Sequence, residues 1–185
     1  IVSPSSSFNG HLTDIFIENG IITEISNGIN TIADQTIAIE DLHVSVGWID
    51  CFANFCDPGD EYKETLLTGA NAAAAGGFTG VMLMPNTNPV VDNKSQVEYL
   101  KHKGKYLPAA IFPIGAVTKN AQGKELTEMY DMYHTGAIAF SDGLNSLQSS
   151  GIMLKALQYI TAINSIIIQI PDDKSITANA QLNDG

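Results

Sequence analysis

From Val46 to Asp92 the chain spells out one complete strand–loop–helix–strand–loop unit, around which the rest is organised. An apolar run, Val44 to Ile49, ends in Asp50. A polar loop then turns at Asp57-Pro58-Gly59. Glu61 to Ala75, rich in Ala, Leu and Glu, is expected to be helical, with Gly76-Gly77 as its stop. The second apolar run, Phe78 to Met84, is too short for a helix and lies between Gly and Pro, so it reads as a buried strand. It runs into Pro85-Asn86-Thr87. Units of this kind gather their loops at the carboxyl ends of parallel strands, where such folds place their chemistry.

The alternation continues. Asn93 is suited to cap a helix from Lys94 to Lys103, with Val97, Tyr99 and Leu100 as apolar members. Ala109 to Val117 is a third strand. Lys124 to His134 reads as a helix with Leu126, Met129, Tyr130 and Tyr133 on one side. Ala137 to Phe140 is a fourth strand, Ser149 to Ile163 a helix, and Ser165 to Ile170 a fifth strand. Strands alternating with helices imply a parallel sheet with right-handed crossovers. Two architectures fit: an open doubly wound sheet, or the first part of a (β/α)8 barrel, which needs about 250 residues when complete. On the barrel reading the 185 residues end before closure. Ahead of this region, Asp14 to Ile25 reads as a hairpin around Asn19-Gly20, and Thr36 to Ile39 is expected to add a strand.

Composition removes several classes of function. Apolar residues make up 44%, as in a globular protein, and no apolar run reaches the roughly 18 residues of a membrane span. No signal peptide is visible, although the sequence opens at Ile1 rather than Met. The formal charge is −11, and all nine basic residues are Lys, which argues against nucleic acid as a partner. Without Arg, this stretch offers no bidentate guanidinium for a carboxylate or phosphate. Two cysteines, Cys51 and Cys56, are too few for a disulfide framework and point to a reducing cytoplasm.

Polar residues at the expected strand ends are the candidates for chemistry: Asp50, Asn54, Asn86, Thr87, Thr118, Ser141, Asp142, Gln169, Asp172 and Asp173. Half of these fit ordinary turn and cap duty, Asp142-Gly143 above all, while Asn86 reads equally as a turn former or a ligand contact. His11, His43, His102 and His134 do not follow strands and read as structural or surface groups. Cys51 and Cys56, spaced C-x4-C without a second pair, read as ordinary thiols, and Lys63 as a solvated charge in the first helix. No Ser-His-Asp order, G-x-S-x-G or Gly-rich phosphate loop is present.

Taken together these stretches resemble dihydroorotase, one of the cyclic amidohydrolases. The family pattern runs G-F-I-D-x-H-x-H-x-R-x-P-G, then Y-K-E-T, A-A-x-G-G-F-T and M-P-N-T-x-P. This chain has Gly47-Trp48-Ile49-Asp50, Asp57-Pro58-Gly59, Tyr62-Lys63-Glu64-Thr65, Ala74 to Thr79 and Met84-Pro85-Asn86-Thr87-Asn88-Pro89, with Ala139 to Gly143 and Ile167-Ile168-Gln169 further on. The resemblance implies the N-terminal part of a TIM-barrel-type (β/α)8 fold. Residues 1–43 would belong to a small β domain and 44–185 to about five βα units.

It also implies zinc and ring-opening hydrolysis of dihydroorotate to carbamoyl aspartate, but the residues that carry them differ. The H-x-H metal ligands fall on Phe52 and Asn54, the substrate arginine on Cys56, and a further ligand histidine on Ile170. Asp142 is the single ligand-type residue kept, and Asn86 keeps the substrate-binding asparagine. Phe52 has no lone pair, and Asn54 is a poor zinc ligand beside imidazole. Losing a buried guanidinium–carboxylate contact costs on the order of 2–5 kcal/mol. Phe52 and Ile170 suggest apolar packing at the barrel mouth. The expected protein is therefore a non-catalytic, dihydroorotase-like scaffold of pyrimidine biosynthesis without a cofactor. It would form a homodimer, or support a transcarbamoylase as inactive relatives do. One alternative is an active zinc enzyme with substitute ligands among Cys51, Cys56, Asp142 and Asp173, or a metal-free mechanism. The other is a small-molecule binding module that uses Asn86.

Overall fold

The computed structural model describes residues 1–177; residues 178–185, the end of the expected barrel segment, lie outside the described part. The chain divides between Gly47 and Trp48 into two compact units. In the first, strands β1 (Asp14–Glu18) and β2 (Ile21–Ser26) form the expected antiparallel hairpin. Asn19 and Gly20 turn it with φ of 51° and 78°, the positive angles that favour Asn-Gly in a two-residue loop. The strand expected at Thr36–Ile39 does not form. Ile37 and Ile39 are exposed, and β-prone residues without a neighbour to share a ladder stay irregular. A single parallel bridge, Val2 to Ser45, occurs instead.

The second unit is a parallel sheet covered by helices. Its strands are β3 (Trp48–Ala53), β4 (Phe78–Leu83), β5 (Ala110–Gly115) and β6 (Ala139–Phe140). They lie side by side in chain order, β3-β4-β5-β6. A doubly wound sheet reverses its strand order part-way, whereas a barrel adds each strand beside the last. The order found here is the barrel's. The register runs through Ile49–Gly80, Gly80–Ala110 and Ile114–Ala139.

Helix α1 (Leu66–Ala75) is shorter than its Ala- and Glu-rich sequence suggests. Thr65 is the N-cap. Its hydroxyl accepts from Thr68 N–H at 3.1 Å, and the Thr68 hydroxyl accepts from Thr65 N–H at 3.0 Å. Residues 60–64 make a turn instead, with Lys63 N–H donating to Asp60 O, so Lys63 precedes the helix. Gly69 of α1 lies against the Phe55 ring, where a β-carbon would come within 2.6 Å.

Helix α2 (Lys94–Gly104) starts as expected at Asn93, whose Oδ1 accepts from Ser95 and Gln96 N–H. Helix α3 (Met129–Thr135) begins later than its periodicity implied. Residues 124–127 run back beside Val117–Lys119, with Thr127 N–H bonded to Val117 O and its buried hydroxyl to Ala116 O. That local pairing satisfies backbone groups a helix would have used. The buried stripe of α3 is therefore Met129 and Met132, and Tyr130 faces out.

Helix α4 (Ser150–Ile160) is capped by Ser149. The fifth strand reduces to one parallel bridge, Phe140 to Ile167, beside the two-residue β6, and a short helix α5 (Lys174–Thr177) follows. Between sheet and helices lies the core, built from Val81, Leu83, Val97, Leu100, Ile111, Met129, Met132, Phe140, Ala156 and Ile160.

Candidate functional site

The loops after each strand's carboxyl end are tied to one another around a rim. Met84 N–H donates to Ala53 O at 3.0 Å and Asn88 N–H to Pro58 O at 3.0 Å, joining the loops after β3 and β4. Ala116 N–H donates to Val91 O at 2.7 Å, and Asn120 N–H to the Asp92 carboxylate at 2.9 Å, joining the next pair. Ser141 N–H donates to Gly115 O, and Leu147 N–H to the Gln169 side chain at 3.1 Å. Backbone groups that leave a strand still need partners, and neighbouring loops supply them.

Asp142 sits on this rim, 4% exposed. One carboxylate oxygen accepts from Thr118 N–H at 2.9 Å, and the other from the Thr118 hydroxyl in a short contact. The Thr118 hydroxyl in turn accepts from Gly123 N–H at 2.8 Å. Burial raises the Asp142 carboxyl above its ordinary value, and the bonds from Thr118 pull the other way. Both oxygens are thus engaged in holding the loop after β5.

Asn86 lies beside Gly143, whose missing side chain leaves space; a β-carbon there would come 3.4 Å from Asn86 Cβ. Asn86 Oδ1 is buried and accepts no hydrogen bond from the described residues. An acceptor in that condition is costly unless something donates to it.

Most other candidates serve the backbone. The Asp50 carboxylate accepts from Phe52 N–H, Thr87 donates to Pro89 O, and the Ser141 hydroxyl accepts from Gly143 N–H. Asp173 binds Ser175, which holds its carboxyl below the ordinary range, and the Asp172 carbonyl accepts from Ser146 and Gln148. Asn54 is exposed. Phe52 and Ile170, expected to supply apolar packing at the barrel mouth, are 40% and 37% exposed. Phe52 lies where the β3–β4 register shifts between Asp50 and Ala53, and Ile170 lies beyond the Phe140–Ile167 bridge. Cys51 is exposed and Cys56 half-buried, both as free thiols.

One cluster was missed. Asp57, 2% exposed, accepts from Tyr99 Oη at 2.7 Å and Leu66 N–H at 3.2 Å, with Lys103 Nζ at 3.6 Å. Burial raises the Tyr99 hydroxyl's pKa, and Tyr99, with Asp57, raises that of Lys103. Asp57-Pro58-Gly59 read as turn chemistry, and Tyr99 as an apolar member of its helix. Nothing local marks an acid and a phenol 42 positions apart as partners.

A family model described as Dihydro-orotase-like matches residues 43–185. The chain belongs to the dihydroorotase-like family. It is 40% identical over 172 residues to the dihydroorotase of Carboxydothermus hydrogenoformans, covering 93% of this chain and 40% of that one. Against the dihydroorotase of Acetivibrio thermocellus it is 38% identical over 188 residues, covering 100% and 43%. The chain thus spans less than half the length of these curated relatives. An L-hydantoinase (dihydropyrimidinase) from Arthrobacter aurescens superposes with a TM-score of 0.75 at 24% identity, over 90% of this chain and 38% of that one, and bears out the partial barrel fold.

The zinc that the family resemblance implies finds no fitting donors at these positions. Phe52 and Ile170 offer only carbon, Asn54 a weak amide oxygen, and Asp142 is committed to Thr118. Among the described residues no three of His, Cys, Asp and Glu are grouped to hold a metal ion. The substitutes considered, Cys51, Cys56, Asp142 and Asp173, form no such group either.

Proposed function

We propose that this chain is a non-catalytic member of the dihydroorotase-like family. The observation that carries the reading is the Asp142 carboxylate. The one ligand-type residue kept at a family metal position spends both oxygens on Thr118, while Phe52, Asn54 and Ile170 replace imidazoles. Without a metal to polarise a ring amide or acidify water, a buried carboxylate and a carboxamide supply no nucleophile for amide hydrolysis. The frame of strands and loops remains suited to a supporting role. That role is self-association or support of a partner enzyme such as a transcarbamoylase, in the cytoplasm. No helix among the described residues is long and apolar enough to cross a membrane. The test is metal analysis of the purified protein together with a dihydroorotate hydrolysis assay. The expected result is substoichiometric zinc and no turnover; stoichiometric zinc with turnover would establish the active alternative. Size-exclusion chromatography with light scattering, alone and with a transcarbamoylase, tests the supporting role.

A second reading is favoured by Asn86. Its buried, unpartnered Oδ1 beside Gly143 is an acceptor suited to a small cyclic amide or ureide N–H. In this reading the rim binds a ligand without transforming it. Thermal-shift titration with dihydroorotate, orotate and carbamoyl aspartate tests it, and no shift with any of them would remove it.

A further inference from the structure

We propose that Asp57 is a positioning residue for the loop that presents Asn86, and that it does so by locking the loop after β3 onto helix α2. The proposal rests on the reading of Asn86 as a ligand contact and names what sets that residue's position.

Asp57 is among the most buried charged residues of the described chain. A carboxylate in that setting is tolerated only when donors converge on it. Three do, from two helices: Leu66 N–H at the start of α1, and Tyr99 Oη and Lys103 Nζ one turn apart on α2. These fix the carboxylate in direction as well as in place, because the phenol meets one oxygen while the amide and the ammonium meet the other. The next residue passes the constraint on. Pro58 O accepts from Asn88 N–H at 3.0 Å, two residues from Asn86.

Gly59 closes the contact. A β-carbon at Gly59 would lie 2.0 Å from the Asn88 carbonyl oxygen, so the two loops touch backbone to backbone with no side chain between. A shift of Asp57 therefore moves Pro58, and with it Asn88 and the turn Pro85–Pro89. Within the turn, Thr87 N–H and Val91 N–H bond to Pro85 O and the Thr87 hydroxyl to Pro89 O, and its flanks are tied by Met84 N–H to Ala53 O and by Ala116 N–H to Val91 O. An apolar residue at 57 could fill the volume, but it would not fix the loop's direction against α2.

The test compares Tyr99→Phe and Asp57→Asn with Ser149→Ala, which removes the N-cap of α4 and so lowers stability at a distance. Two readouts are used: the Asn88 backbone and Asn86 side-chain amide signals of 15N-labelled protein, and the Kd for orotate by calorimetry. Tyr99→Phe and Asp57→Asn are expected to displace both amide signals and to weaken orotate by about fivefold or more. Ser149→Ala is expected to lower Tm while leaving the signals in place and Kd within about twofold. If Tyr99→Phe leaves the Asn86 and Asn88 signals at their wild-type positions, the positioning role is overturned. Should wild-type protein not bind orotate, the ligand reading fails by itself, and the amide signals still decide whether Asp57 places the loop.

Discussion

Thr118 N–H and one oxygen of Asp142 lie 2.9 Å apart across two neighbouring strand ends, and the Thr118 hydroxyl closes on the other oxygen. The pair is buried on both sides, with Thr118 at 0% and Asp142 at 4% exposure. A residue that could have been a metal ligand is thus the clasp between two loops.

Asp142→Ala is expected to cost about 2–4 kcal/mol, because it leaves the Thr118 N–H and the Thr118 hydroxyl proton without an acceptor in a buried site. Asp142→Asn, which can keep a bond to each, is expected to cost about 1 kcal/mol. Urea unfolding of the three proteins at neutral pH measures both.

The same residue gives a pH dependence of definite sign. Burial lifts its carboxyl above the ordinary 3.8. An acid with a raised folded value favours folding fully below its unfolded value and loses that contribution as pH rises through the folded one. The stability of wild type relative to Asp142→Asn should therefore fall as pH rises from below about 4. Unfolding curves of the pair between pH 3 and pH 7 check the sign, and a rise would show that the carboxylate's hydrogen bonds outweigh its burial.

Two helical glycines should respond in opposite directions to one substitution. Gly69→Ala in α1 places a β-carbon 2.6 Å from the Phe55 ring and is expected to destabilise by about 1–3 kcal/mol. Gly151→Ala in α4 meets nothing nearer than the Ser149 hydroxyl at 3.8 Å and is expected to stabilise by up to about 1 kcal/mol. Thermal melts of the two variants show whether Tm moves down for one and up for the other.

Thr65→Ala removes one half of the reciprocal cap of α1 and should cost about 1 kcal/mol. Thr65→Ser keeps the hydroxyl and should recover most of it, as read by the urea midpoint.

Zinc supplied in modest excess and then dialysed away should leave wild-type protein with well under one equivalent, measured by elemental analysis. Phe52, Asn54 and Ile170 cannot hold it, and Asp142 would have to abandon Thr118. One equivalent retained by wild type would mean that a donor set outside these residues exists.

Local signals carried much of the architecture. Asn19-Gly20 placed a hairpin, Asn93 placed the start of α2, and the short apolar run from Phe78 placed a buried strand, because each depends on backbone preferences of a few adjacent residues. The family was legible for a similar reason, since short motifs survive as contiguous strings. What local preference could not resolve was competition. Glu61 to Glu64 are good helix formers, yet Thr65 caps the helix after them. Lys124 to Thr127 show helical periodicity, yet they pair with the strand exit at Val117. The fifth strand has the composition of a strand but only a two-residue neighbour to pair with.

By itself, the sequence determined which residues the resemblance sets against the family's metal and arginine positions, namely Phe52, Asn54, Ile170 and Cys56, because contiguous motifs carry that correspondence whatever the fold. Only the tertiary structure decided what the two buried acids do. Asp142 turns to Thr118, and Asp57 to Tyr99, because a buried carboxylate takes whatever donors the packing brings to it, and those donors come from 24 and 42 positions away.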